Sequence, residues 1–153
     1  MPVPSWARPC ANRSAPNVDF VEDETSVPYK AHEEKVSILV VDDEPVVGDA
    51  LKLVLESSGY EVVLVEQGRE AITQAGNRRF RLAIIDLFLS DISGLRAIKT
   101  IREQQPEIII IMITGRGNPQ AFSVARRLGV AGILAKPFRP ADILQMITTN
   151  LAR

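Results

Sequence analysis

The chain has 153 residues, of which 46% are hydrophobic and 24% charged, and its formal net charge is −1. These values are typical of one folded domain with room for a tail, and the near-neutral charge gives no support for nucleic-acid binding. The single cysteine, Cys10, excludes an internal disulfide, and the single histidine, His32, argues against a histidine-based metal or catalytic site. No apolar run approaches the roughly 18 residues of a membrane span, so a cytoplasmic protein is expected.

Residues 1–35 differ in composition from the rest of the chain. They contain five prolines, an acidic cluster (VEDET) and no helical or strand periodicity. Such a segment buries too little apolar area to offset the entropy lost on ordering it. We therefore predict a disordered or mobile N-terminal extension over residues 1–35. Its aromatic residues, Trp6, Phe20 and Tyr29, either form a docking motif or belong to a tail without a specific partner.

Two strands and two helices are predicted in the first half of the domain that follows. Val36–Val41 (VSILVV) is apolar enough for a buried strand. Pro45 then opens a helix whose apolar residues recur at helical spacing until Gly59. Glu61–Val65 (EVVLV) is the second strand, and the segment GREAITQAG, residues 68–76, forms a short second helix.

Three strands and three helices are predicted in the second half. Leu82–Asp86 (LAIID) is the third strand, and Ser93 caps a helix that ends before Pro106. The fourth strand, Ile108–Thr114 (IIIIMIT), is the most apolar, as is typical of the centre of a parallel sheet. The remaining elements are a helix over residues 118–128, the short strand Gly132–Ala135 and a last helix from Pro140 to Leu151.

Five strands that alternate with five helices through short connections indicate the α/β class. We predict a flavodoxin-like, doubly wound, five-stranded parallel sheet with strand order 2-1-3-4-5 and helices on both faces. In such sheets, ligands bind at the carboxyl ends of the strands, where the strand order changes direction. Functional side chains are therefore expected at that edge.

Polar residues follow four of the five strands at the predicted edge. Asp42 and Asp43 follow the first strand, Asp86 ends the third, Thr114 ends the fourth, and Lys136 follows the fifth. Neighbouring strand ends lie about 5 to 10 Å apart, so these groups can converge. A single aspartate after a strand is more often a helix cap, but crowded carboxylates repel one another and suit a hard cation such as Mg²⁺. The joint placement predicts a metal and phosphoryl site.

The segments LVVDDEP, IIDLFLSDISG, IMITG and GILAKPF resemble the successive motifs of the receiver domain of two-component response regulators. The resemblance covers residues 36–153, with the motifs in family order and at similar intervals. It implies a defined set of site residues. These are Asp86 as phosphoacceptor, Asp43 as a direct Mg²⁺ ligand, Asp42 as a ligand mainly through water, the backbone carbonyl of Phe88 as a further ligand, and Thr114 and Lys136 as contacts of the phosphoryl oxygens.

The resemblance also implies a function. The chain would be a single-domain response regulator of a two-component phosphorelay that accepts a phosphoryl group on Asp86 in a Mg²⁺-dependent reaction. It would not be an enzyme, except that it would promote its own phosphorylation and its own slow dephosphorylation. The donor would be a sensor histidine kinase or a histidine phosphotransfer protein, because His32 lies in the predicted extension. A downstream protein would bind the face formed by the fourth helix, fifth strand and fifth helix. The chain could also form a homodimer, and nucleic acid is not expected as a partner.

Two other functions are compatible with the same fold. A pseudo-receiver would act as a binding module without phosphorylation, but the set Asp43, Asp86, Thr114 and Lys136 favours a phosphoacceptor. An aspartate-nucleophile phosphatase would need a second acid two residues after the nucleophile, where Phe88 stands.

One departure from the family pattern bears on signalling, and two large side chains bear on the lifetime of the phosphorylated state. Ile133 occupies the position where the family usually has an aromatic residue, so the usual ring rotation is not available as a readout. Phe88 and Arg116 are both large and are expected to flank the path of the hydrolytic water, which predicts slow dephosphorylation.

Overall fold

The computed structural model describes residues 34–152, so the predicted extension lies outside the described residues apart from positions 34 and 35. None of the helices in the described range combines the length and hydropathy needed to span a bilayer. The elements in chain order are β1 (Ser37–Val41), α1 (Pro45–Ser57), β2 (Glu61–Val65), α2 (Gly68–Asn77), β3 (Leu82–Asp86), α3 (Gly94–Gln104), β4 (Ile109–Thr114), α4 (Pro119–Arg127), β5 (Gly132–Ala135) and α5 (Pro140–Leu151).

The five strands form one parallel sheet in the order β2-β1-β3-β4-β5, which confirms the predicted doubly wound topology. Val41 at the end of β1 is opposite Ile85 of β3, and Asp86 is opposite Ile113 of β4. The carboxyl ends of the central strands are therefore level. This register brings Asp42, the residue after Val41, next to Asp86.

Successive residues of the central strands pack on opposite faces of the sheet. Ile84 of β3 belongs to the core that is shared with α1 and α5, whereas Ile85 belongs to the core that is shared with α2, α3 and α4. Both side chains are fully buried, and each such burial stabilises the fold by about 1.5–3 kcal/mol. Because β4 is covered on both faces in the same way, its almost continuous run of isoleucines is explained.

Side chains cap the starts of two helices, and one of them, Ser93, was predicted as a cap. The Ser93 side chain accepts a hydrogen bond from the Leu95 N–H at 3.1 Å, and the Asn118 side chain accepts one from the Ala121 N–H at 2.8 Å. The boundaries differ from the prediction mainly by one or two residues, for instance at the start of β1 and the end of α4. Element ends depend on local hydrogen bonds that apolar periodicity does not specify.

Candidate metal and phosphoryl site

Three carboxylates meet at the carboxyl ends of β1 and β3. One oxygen from each of Asp42, Asp43 and Asp86 lies within 4.8 Å of the other two. Asp42 and Asp86 are buried, and Asp43 is partly exposed. The level register of β1 and β3 places them there, since Asp42 directly follows β1 and Asp86 ends β3. The convergence predicted from the strand ends is present.

The oxygens of this cluster fit a divalent cation. Asp42 Oδ1 accepts a hydrogen bond from the Glu44 N–H at 2.9 Å, and Asp86 Oδ1 accepts one from the Phe88 N–H at 3.1 Å. Asp42 Oδ2 lies 3.0 Å from Lys136 Nζ as an ion pair, but it has no hydrogen-bond partner among the described residues. A buried carboxylate oxygen without a hydrogen bond is costly, and convergent carboxylates are the donor set that Mg²⁺ prefers.

Lys136, which follows β5, provides the positive charge of the site. Its Nζ lies 2.5 Å from Glu44 Oε1, 2.9 Å from Asp86 Oδ2 and 3.0 Å from Asp42 Oδ2. Desolvation lowers the pKa of Lys136, but the contacts with the three carboxylates outweigh it and hold that pKa above its usual value. The ammonium group is therefore charged at neutral pH.

The pKa of Asp42 is raised above its usual value. Burial is the main cause, and it outweighs the hydrogen bond from the Glu44 backbone and the ion pair with Lys136, which lower the pKa. The charge of Asp86 adds a smaller increase. A carboxyl group whose pKa is higher in the folded than in the unfolded state opposes folding when it is ionised. The acidic edge formed by Asp42, Asp43 and Asp86 therefore lowers the stability of the fold in the absence of a cation.

Removal of one carboxylate should stabilise the metal-free protein. Asp43 is suited to this test, because no hydrogen bond or salt bridge of its side chain is found within residues 34–152. We expect Asp43→Ala to raise the melting temperature without metal by a few degrees, since like-charge repulsion is relieved, and to abolish the stabilisation by Mg²⁺. Thermal denaturation in EDTA and in excess Mg²⁺ measures both effects, with Asp49→Ala on the exposed surface of α1 as control. A lower melting temperature in EDTA would show that Asp43 stabilises the fold itself.

Thr114 ends β4 at the predicted edge, and its side chain is buried. Its hydroxyl donates a hydrogen bond to the Arg116 carbonyl and accepts one from the Arg116 N–H at 3.1 Å. A hydroxyl has a single proton to donate. A hydrogen bond from Thr114 to a phosphoryl oxygen therefore requires that the bond to the Arg116 carbonyl be broken.

Phe88 and Arg116 lie together over one side of the site. The guanidinium carbon of Arg116 is 5.1 Å from the centroid of the Phe88 ring, which is a cation–π contact. Both residues line the same hollow as Asp43, Asp86 and Lys136. The large side chains expected beside the acceptor are thus in contact with each other. The assignment of the Phe88 carbonyl as a metal ligand stays a prediction.

Gly94, at the start of α3, was not recognised from the sequence as a residue of the site. Its N–H donates a hydrogen bond to the Leu87 carbonyl at 2.8 Å. A Cβ atom at this position would lie 2.1 Å from the carbonyl oxygen of Asp86. The start of α3 therefore packs directly on the backbone of Asp86, and the glycine in DISG was the only sequence signal of this contact.

Asp91 connects the loop after Asp86 to α2. Its two carboxylate oxygens accept hydrogen bonds from the N–H groups of Gly68 and Arg69, both at 2.9 Å, at the N-terminus of that helix. Although desolvation raises the pKa of Asp91, hydrogen bonds from backbone N–H groups outweigh it and hold that pKa below its usual value. The resulting stabilisation is present above the unfolded-state pKa of about 3.9 and is lost as the pH falls through the lower folded-state pKa.

Residues 38–148 match the family described as the response regulator receiver domain. Among curated relatives, the acid tolerance regulatory protein ActR from Rhizobium meliloti is 39% identical over 108 residues, which cover 71% of this chain and 56% of ActR. The chain spans about half the length of the curated relatives that it matches.

Two solved structures share the fold. A response regulator from Burkholderia pseudomallei with a phosphorylated aspartic acid, calcium ion and citrate has a TM-score of 0.71 and 33% identity, over 78% of this chain and 69% of that one. The receiver domain of the sensor histidine kinase PA1611 from Pseudomonas aeruginosa, with magnesium in its active site cleft, has a TM-score of 0.72 and 28% identity, over 78% of this chain and 100% of that one. Family match, strand order and acidic edge agree: the chain belongs to the receiver domain family of two-component response regulators.

Proposed function

We propose that the chain accepts a phosphoryl group on Asp86 from a phosphohistidine donor in a Mg²⁺-dependent reaction. One observation carries this assignment. Asp86 lines the hollow at the end of the central strands, belongs to the cluster of three carboxylates, and contacts Lys136. Asp42 also contacts Lys136, but its side chain is fully buried and does not line that hollow. Asp86 is therefore the buried carboxylate that a donor can reach.

The chemistry follows from this geometry. A carboxylate oxygen of Asp86 attacks the phosphorus, an O–P bond forms, and the P–N bond to the donor imidazole breaks with its electron pair on the ring nitrogen. In-line positioning and charge neutralisation supply most of the catalysis in phosphoryl transfer. Lys136 holds one positive charge beside the acceptor. Mg²⁺, held by Asp42, Asp43 and Asp86, would add positive charge at the phosphoryl oxygens when bound.

The donor protein is proposed to dock on an apolar groove between α1 and α5. This groove has a volume of about 510 Å³, and Glu44 and Lys136 line both the groove and the hollow at Asp86. A protein seated in the groove is therefore within reach of the acceptor. Val46 lines the groove and is 82% exposed, so it offers apolar surface to a partner. A sensor histidine kinase or a histidine phosphotransfer protein would cover this surface while its phosphohistidine reaches Asp86.

The output is proposed to begin at the loop between β4 and α4. When the Thr114 hydroxyl turns its proton to a phosphoryl oxygen, the Arg116 carbonyl loses its hydrogen-bond donor and this loop rearranges. Ile133 packs partly buried against the core and has no ring to rotate, so α4 itself is the element that moves with the loop. The proposed output surface is the face of α4, β5 and α5, on which Arg126 and Arg127 are exposed. A homodimer, and the exclusion of nucleic acid as a partner, stay predictions.

Acetyl phosphate and Mg²⁺ provide the test of the proposed function. The full chain should gain one phosphoryl group, seen by intact-mass spectrometry, and chelation of Mg²⁺ with EDTA should prevent the gain. A pseudo-receiver, the alternative function, would gain none under either condition.

The phosphorylated state should be long-lived because Phe88 and Arg116 lie over the acceptor. Phe88 cannot orient a water molecule by a hydrogen bond, and Arg116 can only donate. We expect the Phe88→Asn, Arg116→Glu double variant to lose its phosphoryl group about tenfold faster, which corresponds to roughly 1.4 kcal/mol of barrier. The decay of the phosphorylated mass after removal of donor measures the rate, and Arg127→Glu on α4 is the charge-matched control. An unchanged half-life in the double variant would show that these side chains do not shield the phosphoryl group.

We also propose that residues 36–153 form the receiver and that residues 1–35 are dispensable for it. The motive is the proline content and missing periodicity of the N-terminal segment. A chain that starts at Glu34 should melt within a few degrees of the full chain and should be phosphorylated to the same extent. A large loss of stability in thermal denaturation would mean that the segment packs on the domain.

A further inference from the structure

The ammonium group of Lys136 is already surrounded by carboxylates. It donates hydrogen bonds to Glu44 Oε1 and Asp86 Oδ2, and it lies against Asp42 Oδ2 as an ion pair. Three carboxylate oxygens already lie within 3.0 Å of Nζ, as many as the ammonium group has protons, so a fourth oxygen can bind only if one of the three moves away. In the proposed function Lys136 must contact a phosphoryl oxygen. One of the present contacts must therefore be given up.

Glu44 is the carboxylate that can leave Lys136 at the lowest cost. Its side chain is 60% exposed, against 0% for Asp42 and 5% for Asp86. Water can replace the hydrogen bond that Glu44 loses, whereas the Oδ2 atom of buried Asp42 or Asp86 would lose its contact with Lys136 where water has little access. Asp42 and Asp86 also belong to the three-carboxylate cluster, and Glu44 does not.

The position of Glu44 in the fold permits this movement. Glu44 is the N-cap residue of α1, yet its side chain makes no capping hydrogen bond to the helix. Its backbone N–H is held by Asp42 Oδ1, so the main chain stays in place when the side chain turns away. Release of Lys136 by Glu44 therefore leaves both α1 and the acidic cluster intact.

We propose that Glu44 is a positioning residue that holds Lys136 at the acceptor before phosphorylation and gives up this place to a phosphoryl oxygen. This inference rests on the proposed phosphoacceptor function. Before transfer, Glu44 keeps the ammonium group of Lys136 at the hollow into which Asp86 opens, since the side chains of Glu44 and Lys136 both line that hollow. After transfer, the phosphoryl oxygen takes the position of the Glu44 carboxylate, which turns to solvent. Glu44 thus competes with the phosphoryl group for the ammonium group of Lys136.

Beryllofluoride measures this competition, because it occupies the position of the phosphoryl group without a covalent P–O bond. Its dissociation constant is determined by calorimetric titration of the full chain at saturating Mg²⁺. We expect Glu44→Gln to bind beryllofluoride about two- to fivefold more tightly, the range for an ion pair whose carboxylate is largely exposed. Glu56→Gln is the matched control, since it removes the same charge from an exposed pair with Lys52 on α1 and should change nothing.

A second background separates competition for Lys136 from general charge repulsion. In a Lys136→Met chain, Glu44→Gln should leave the affinity for beryllofluoride unchanged, because the shared ammonium is absent. An equal gain in both backgrounds would overturn the inference, as would unchanged or weaker binding by Glu44→Gln alone. If the chain with its own Glu44 neither binds beryllofluoride nor is phosphorylated by acetyl phosphate, the proposed function itself fails, and the inference fails with it.

Discussion

Asp86→Asn should abolish phosphoryl incorporation from acetyl phosphate and Mg²⁺. The amide keeps the shape of the side chain and an oxygen that can accept from the Phe88 N–H, as Asp86 Oδ1 does. It lacks the anionic oxygen that attacks phosphorus, so the covalent step has no nucleophile. Intact-mass spectrometry should show full labelling of the unchanged chain and none of the variant. The effect is all or none, and it is the largest that we expect from a single substitution.

The control for this experiment is Asp49→Asn, which changes an exposed carboxylate on α1 away from the site. This variant should be labelled at the rate of the unchanged chain. Because Asp86 is in contact with Lys136, the melting temperature of each variant is recorded as well, so that a failure to fold is not mistaken for loss of the nucleophile. Labelling of Asp86→Asn would contradict the assignment and would place the acceptor elsewhere.

Gly94→Ala should be the second most damaging substitution. The added Cβ would lie 2.1 Å from the Asp86 carbonyl oxygen and 2.8 Å from Leu87 Cα, both of them backbone atoms. The loop must shift to accept it, at a cost of about 1 to 3 kcal/mol of stability. A displacement of the acceptor of about 1 Å can slow a positioned reaction on the order of a hundredfold. Urea denaturation measures the first effect and the initial rate of labelling the second.

Gly76→Ala is the matched control, because the same methyl group there would meet only the flexible end of the Gln104 side chain, at 3.3 Å. It should change stability by less than about 1 kcal/mol and leave labelling unchanged. If Gly94→Ala behaves like Gly76→Ala, the start of α3 does not constrain Asp86.

The topology and much of the site were predictable because they depend on short-range sequence patterns. The run IIIIMI, which precedes Thr114, is apolar at every position, as is typical of a strand covered on both faces, and β4 is covered in this way. Asp42, Asp86 and Lys136 each lie at the end of a strand or directly after one. Parallel strands place such residues at the same edge of the sheet for any conformation of the loops, so their convergence followed from the topology alone.

The contacts that were not predicted depend on side-chain placement in loops. Glu44 and Lys136 are 92 residues apart in the chain, and no periodicity relates them. The stacking of Arg116 on Phe88 likewise requires two separate loops to approach each other. The raised pKa of Asp42 was not predicted for this residue, because its main cause is desolvation, which becomes visible only when burial is known.

The hydrogen bonds of Asp91 to α2 have a consequence for the construction of chimeric receivers. A natural design is to exchange residues 87–93 between two receivers in order to transfer the lifetime of the phosphorylated state. Such an exchange transfers the Asp91 carboxylate but not its hydrogen-bond donors, because the N–H groups of Gly68 and Arg69 belong to the recipient. A Cβ at Gly68 would also lie 2.5 Å from the Ile92 side chain, so the loop fits only a recipient with glycine there. The transferable module is therefore the loop together with the first turn of α2.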